Sequence, residues 1–584
     1  MQRPSHTGRG HWLALLCALA LAACGGGGGD GSTSPSPDPG TSAPPVTTPP
    51  PATGETPMTP AEAARLLDQG GWGASEAALA AATKIGPKQW LSVQFDTAAS
   101  RFGNYSAEIH TAGLKDFCVE RNIGSNCWRD YYSAEPLSRE FYQQAVSGAD
   151  QLRQRTAWAL SQIWVVSGHE VEGTYGLRDY QQMLRDNAFG NLRDLLGKMA
   201  LHPVMGAYLN MVNNEKDAPN ENFARELLQL FTIGPCELTA GGDLAGGACR
   251  ATYDNAGVRE VAFALTGWTY PAGGTSAWGK WDWTNPSFLR GEMLAFAEQH
   301  DQTERKLPGG VTIPASRTPR QASDAVLDAL FNHPNFAPFI GKQMIQRLVT
   351  SNPAPEYVER VSAAIASGSA HGFGSGRRGD MKAVLAAILL DPEARDASRA
   401  EAAAYGRLRE PTQYTINLLR AANGSTDGAP FYWWIGAMLG QMVYTAPSVF
   451  NYYPADYPLP GSPGLAPEFG LANAATAMTR YNLSDGLFYW NEGTGIKADA
   501  SIPNATGTRT NIAAFESSAD DANALFERID LLLTAGRSSA STRAAIVEAI
   551  NAWDPVKNKD SYRRERVRTA FYLLLASPDY QVQR

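Results

Sequence analysis

The sequence has no surplus of basic residues: 50 Lys and Arg stand against 58 Asp and Glu, for a net charge of −8. Gripping a phosphate backbone needs a cationic face, so nucleic acid is not an expected partner. Cysteines are few, six in all, and none opens a C-x2-4-C zinc knuckle. His169-Glu170-Val171-Glu172 lacks the second His of a zincin. Trp281 stands where a phosphate loop beginning at Gly274 and reaching Lys280 would need Ser or Thr. Gly374, Gly376 and Gly379 follow a helical stretch instead of the strand a dinucleotide fingerprint requires, and no G-x-S-x-G elbow occurs. Metal, nucleotide and serine-hydrolase chemistry are left without a motif, and no cofactor is indicated.

Long apolar runs are also missing. Trp12 to Ala23 is too short for a membrane span of roughly 20 residues. Preceded by Arg3 and Arg9 and ending in Leu21-Ala22-Ala23-Cys24, it has the layout of a signal peptide covering residues 1–23. The last four residues resemble a bacterial lipoprotein box, which makes Cys24 the lipidated first residue of the mature chain. Gly25 follows, where Asp would signal inner-membrane retention, so the expected location is an outer-membrane lipoprotein facing periplasm or cell surface. The expected membrane contact is this lipid anchor. Of the 33 residues 25–57, 27 are Gly, Pro, Ser or Thr, a composition that reads as a tether from Cys24 to residue 57. The remaining cysteines, Cys118, Cys127, Cys236 and Cys249, suit an oxidising compartment, and the local pairings 118–127 and 236–249 are the simplest of three connectivities.

With 43% apolar residues and only 18% charged, the rest of the chain can bury a large core. Leu152, Thr156, Ala159, Leu160 and Ile163 recur at helical spacing, as do Met381, Val384, Leu385, Ile388 and Leu389 after the N-cap candidate Asp380. Further helical windows cover 59–69, 191–213, 219–233, 254–266, 321–348, 410–421, 467–489, 520–551 and 560–576. Period-two patterns are scarce and no second linker divides 58–584. The expected fold is mainly α, one large multi-helical domain with long aromatic-rich loops.

Several segments together resemble the bacterial family called domain of unknown function 1800. They are 63–73 (Ala-Ala-Arg-Leu-Leu-Asp-Gln-Gly-Gly-Trp-Gly), 152–155, 159–164 (Ala-Leu-Ser-Gln-Ile-Trp), 187–191, His202-Pro203 and 220–227 (Asn-Glu-Asn-Phe-Ala-Arg-Glu-Leu). Leu265-Thr266-Gly267-Trp268, Arg378-Gly379-Asp380, 390–395, 446–451 (Ala-Pro-Ser-Val-Phe-Asn) and Ser577-Pro578 follow in order. One departure is Phe263, where the family often has Arg two residues before the Leu of Leu-Thr-Gly-Trp. The resemblance implies a secreted helical protein with a sulfatase-like companion protein, and carries no established activity.

On the window 219–233, Phe223, Leu227, Leu230 and Phe231 form an apolar stripe opposite Glu221, Asn222, Arg225, Glu226 and Gln229. Glu221 with Arg225, and Asn222 with Glu226, are i,i+4 partners that can satisfy one another. The same concentration of carboxylates, amides and one Arg can also meet a hydroxyl-rich or anionic ligand. Glu221 and Glu226 lie about 140° apart around an ideal helix, so an acid and base pair would more naturally join Glu226 to Asp301. His300 beside Asp301 is a candidate proton shuttle. The candidate catalytic residues are therefore Glu226, Glu221, Asp301 and His300. Candidate binding residues are Asn220, Asn222, Arg225 and His202, together with Trp268 and Trp281 from an aromatic loop suited to sugar rings. The leading expectation is a polymer-binding or polymer-processing envelope protein, with glycan as ligand and, if catalytic, a hydrolase; the alternative is a non-catalytic scaffold or assembly protein. The anchor gives the first test: labelled fatty acid attaches to wild type and not to Cys24→Ala, whereas equal labelling of both removes the lipoprotein assignment.

Overall fold

Capping chemistry sets where many of the helices start. In the computed structural model, which describes residues 55–584 except 112, 113, 115, 272–277, 279–286, 403, 404, 460 and 494, Thr59 and Glu62 close a capping box on helix Pro60–Gly70. Asp380 caps Met381–Leu389 by accepting from the N–H groups of Lys382 and Ala383. Asn191 and Asp254 cap Leu192–Ala200 and Asn255–Ala264 in the same way. The described residues begin at Glu55, inside the segment whose composition reads as tether. Its carboxylate accepts from the N–H groups of Lys88 and Gln89 at 3.0 Å each, at the start of helix Pro87–Asp96.

The expected mainly α architecture is the one observed. The longest sequence windows are each broken in two for a local reason. Pro203 and Pro334 disfavour helical backbone at the residue before them, so 191–213 becomes Leu192–Ala200 and Pro203–Tyr208, and 321–348 becomes Pro319–Asn332 and Phe336–Leu348. Ala535 and Gly536 in left-handed backbone divide 520–551 into Ala522–Thr534 and Ala540–Asn551. Helices Glu135–Ser147 and Thr174–Asp186 lie outside the expected windows although each buries an apolar stripe at helical spacing, Leu137, Phe141 and Ala145 in one and Leu177, Tyr180 and Leu184 in the other, beside buried polar residues such as Ser138 and Gln181. The strands are two-residue antiparallel pairings; one of them joins Arg407–Leu408 to Val582–Gln583 and so ties the end of the chain to its middle. Both local disulfides are present, Cys118–Cys127 and Cys236–Cys249, with Cα atoms 5.9 and 5.0 Å apart.

The interior holds ionised groups as well as apolar ones. Glu410, immediately before helix Pro411–Ala421, is fully buried. Its carboxylate accepts from Trp158 Nε1, Gln162 Nε2 and Gln441 Nε2 at 2.7 Å and from the Tyr453 hydroxyl at 2.8 Å, with Arg155 Nη1 at 3.9 Å. Burial alone would push this carboxyl up; Arg407, Arg155 and the hydrogen bonds more than reverse it and hold it at about 2. Two further buried pairs flank it: Arg407 with Glu468 at 2.7 Å and Arg409 with Asp68 at 2.6 Å. Removing one member of such a pair strands the other in a medium that solvates it poorly. Glu410→Gln is therefore expected to cost about 3–5 kcal/mol in denaturant unfolding, and a loss below about 1 kcal/mol would show that the carboxylate does not compensate Arg155.

Candidate functional site

The segment 219–233 is not one regular helix. Asn222–Glu226 forms a short α-helix, and the chain then widens through Leu227–Thr232, where Ile233 N–H reaches the Leu228 carbonyl five residues back. The extra residue in the turn changes which side chains point inward. Phe223, Leu227, Leu228 and Phe231 are buried, whereas Leu230, expected in the stripe, is partly exposed beside Gln229 on the wall of a cavity.

At the start of the segment the polar groups mostly satisfy one another. Arg225 Nη2 meets Glu221 Oε2 at 3.0 Å, with both side chains about 40% exposed, a geometry worth about 0–1 kcal/mol. Asn220 holds the turn, its side-chain oxygen accepting from Asn222 N–H and its own N–H donating to Asn214 Oδ1. Asn222 Nδ2 donates to Asn210 at 2.8 Å and not to Glu226. Glu226 is the exception. Its Oε2 is buried with no hydrogen-bond partner among the described residues, and burial pushes its carboxyl up, with Arg225 opposing.

His300 and Asp301 are adjacent but turned to different partners. His300 is buried, and its Nδ1 lies 2.9 Å from the Thr266 carbonyl oxygen. Asp301 receives Arg305 through Nε at 2.7 Å and Nη2 at 2.8 Å. The cavity beside them is about 10 Å3, room for a single water. Gly267 makes this corner possible: at φ +86° a Cβ would stand 2.8 Å from the Phe296 carbonyl oxygen and from His300 Cβ. Where the family pattern often has Arg, Phe263 instead carries the Arg305 guanidinium 3.8 Å from its ring centre.

His202 caps helix Pro203–Tyr208 by accepting from Val204 N–H, and burial lowers its imidazole to about 4. Trp268 is buried, with its indole N–H on Ser323 Oγ and Arg320 over its ring. Trp281 and Cys24 lie outside the described residues. In the aromatic run 431–434 and at Tyr453, Phe431, Tyr432 and Tyr453 are buried, while Trp433 and Trp434 are about half exposed. Trp433 packs 6.1 Å from Trp128, and Trp434 stacks 6.3 Å from Trp490. Among the described residues no cluster of three or more His, Cys, Asp or Glu is placed to hold a metal ion, and no helix is long and apolar enough to cross a membrane.

Among the described residues, a cavity of about 450 Å3 has the volume of a ligand site. One wall is a face of helix Phe336–Leu348, where Phe339, Lys342, Gln343, Gln346 and Arg347 follow at helical spacing. Gln229 and Leu230 of the widened turn face it, and the loop carrying Cys236 and its disulfide closes one side. Gln162 and Ile163 of the Ala-Leu-Ser-Gln-Ile-Trp segment meet Val449 and Phe450 of the Ala-Pro-Ser-Val-Phe-Asn segment here, although some 280 residues separate them. Gln162 Oε1, Gln343 Nε2 and the Nε and Nη1 of Arg347 are buried without hydrogen-bond partners among the described residues. Asn222, Arg225 and Glu226 are not among its lining.

The cavity residues were missed from sequence. The available signal was one face of an otherwise apolar helix carrying Gln343, Gln346 and Arg347 in a row, a costly arrangement unless those groups meet polar partners.

Glu226 supplies a test of the older candidate. Its carboxyl is raised by folding, so the folded protein loses stability as pH rises from the ordinary carboxylate range through the raised value, and Glu226→Gln escapes that loss. Thermal unfolding is expected to place Glu226→Gln slightly above wild type at about pH 8, with the gap closing towards about pH 4. A variant that melts well below wild type at about pH 8 would mean instead that the carboxylate has an ionic partner.

No curated protein and no solved structure matches the chain. Residues 65–582 match the family described as protein of unknown function DUF1800, and the match spans nearly all of the helical domain. The chain therefore belongs to the DUF1800 family.

Proposed function

We propose that the chain is an exported lipoprotein, anchored through Cys24 and carried on the segment 25–57, whose helical domain binds an extracytoplasmic glycan in the 450 Å3 cavity. One observation carries the ligand class: Gln162, Gln229, Gln343 and Gln346 share the cavity with Phe339 and Phe450. A carboxamide both donates and accepts, which suits hydroxyl groups, and an aromatic ring packs on the apolar face of a sugar. The two disulfides agree with an oxidising compartment.

The reading is binding and not hydrolysis. The carboxylates lining the cavity, Asp243 and Asp456, are exposed side chains, and Glu226 lies outside the lining. A scaffold or assembly role is the second reading, favoured by the half-exposed Trp433 and Trp434 with Trp128 and Trp490 beside them, since clustered exposed tryptophans suit a partner surface.

The mature full-length chain, presented with a panel of envelope and extracellular oligosaccharides, is expected to bind at least one. Gln229→Ala and Gln343→Ala should each weaken that binding by roughly tenfold, the loss of about one good hydrogen bond. Absence of binding across the panel, or binding indifferent to both substitutions, rejects this site as the glycan cleft.

A further inference from the structure

The same cavity carries a charge preference. Arg347 is 3% exposed and lines the cavity, yet its guanidinium forms no salt bridge among the described residues, and two of its nitrogens have no hydrogen-bond partner. An isolated buried cation is expensive, so its surroundings must be inspected for a counter-charge.

The buried carboxylates around Tyr453, whose ring Arg347 covers, are already engaged. Glu410 is held by Arg155, Trp158, Gln162, Gln441 and Tyr453, and Glu468 is taken by Arg407. What Arg347 has is the face of Tyr453, with its guanidinium carbon 4.8 Å from the ring centre, and this offsets only part of the charge. The other cation of the lining, Lys342, donates its ammonium to the Gly242 carbonyl at 3.1 Å. Asp243 and Asp456 sit exposed, where water screens them strongly and weakens their pull on a buried guanidinium. The buried part of the cavity is therefore cationic while its exposed part is acidic.

Building on the glycan reading, we propose that the cavity selects an acidic glycan and that Arg347 is the specificity-determining residue, receiving an anionic group borne by the sugar. Gln229, Gln343 and Gln346 share the lining and supply carboxamides for neighbouring hydroxyls. Carboxylate and sulfate ester share the chemistry the guanidinium requires, so the test has an arm for each.

Binding of the full mature chain is measured to matched oligosaccharides: a uronic-acid oligomer against its carboxyl-reduced form, and a sulfated oligomer against its desulfated form. Wild type is expected to bind at least one acidic member about tenfold or more tightly than its neutral match, the scale of one charge-assisted hydrogen bond. Arg347→Gln should abolish that preference, bringing the ratio of acidic to neutral affinity to about one. Arg347→Lys should keep part of the preference, and Lys342→Gln most of it. Arg347→Gln removes an uncompensated charge, so its melting temperature should equal or exceed that of wild type, which keeps the variant measurable. Equal binding of acidic and neutral partners by wild type, or a preference that survives Arg347→Gln, overturns the proposal while the glycan reading stands. If no oligosaccharide binds, the glycan reading fails by itself, and free glucuronate and sulfate serve as probes of the site. Thermal stabilisation by either that is lost in Arg347→Gln upholds an anion site, and none overturns it.

Discussion

The rest of this structure depends on one buried carboxylate. Glu410 gathers an indole, two carboxamides, a phenol and a guanidinium from helix Gln151–Ser161 and from the chain around 441 and 453. Low local polarisability makes each of these contacts strong and makes each one obligatory. Arg407, Arg409 and Asp68 extend the arrangement, so the first helix, the end of the chain and the loops after 441 are held by charge as well as by apolar packing. Such a cluster contributes little net stability compared with a well-packed apolar core, but it tolerates few alternative packings.

The cavity follows from that constraint. Gln162, in the cavity lining, spends its amide nitrogen on Glu410, while Arg347 sits against Tyr453, whose hydroxyl is likewise spent on Glu410. The floor of the cavity is thus the outer edge of the buried ionic cluster. Its other walls come from devices that resist collapse: the widened turn at Leu227–Thr232, which turns Gln229 and Leu230 outward from the core, and the loop closed by Cys236–Cys249. A space lined by amides and a cation persists because each wall is fixed by contacts behind it.

Particular residues show how far sequence reading reached. The cap at Asp380, the first helical window at 59–69, the two local disulfides and the helical class were legible, because capping, short loop closure and apolar periodicity act over a few neighbouring residues. The helix Thr174–Asp186 carries the same local signal, Leu177, Tyr180 and Leu184 buried at helical spacing, yet it lies outside the expected windows. The segment 220–227 was recognisable as a signature, yet its expected Asn222–Glu226 pairing gave way to Asn222–Asn210, a contact across a turn that helical spacing does not encode.

The sequence by itself determined the family, the predominance of helix, the separation of a Gly/Pro/Ser/Thr-rich lead from a foldable remainder, and the cysteine pairs, all properties of composition or of neighbours along the chain. Only the tertiary structure decided which polar residues are paired and which are left over. Arg155, Arg407 and Arg347 look alike as letters in helical or extended stretches; the fold gives two of them carboxylates and leaves the third facing a cavity. That distinction rests on distances between groups separated by tens to hundreds of residues, and on the dielectric around them, neither of which is written in local spacing.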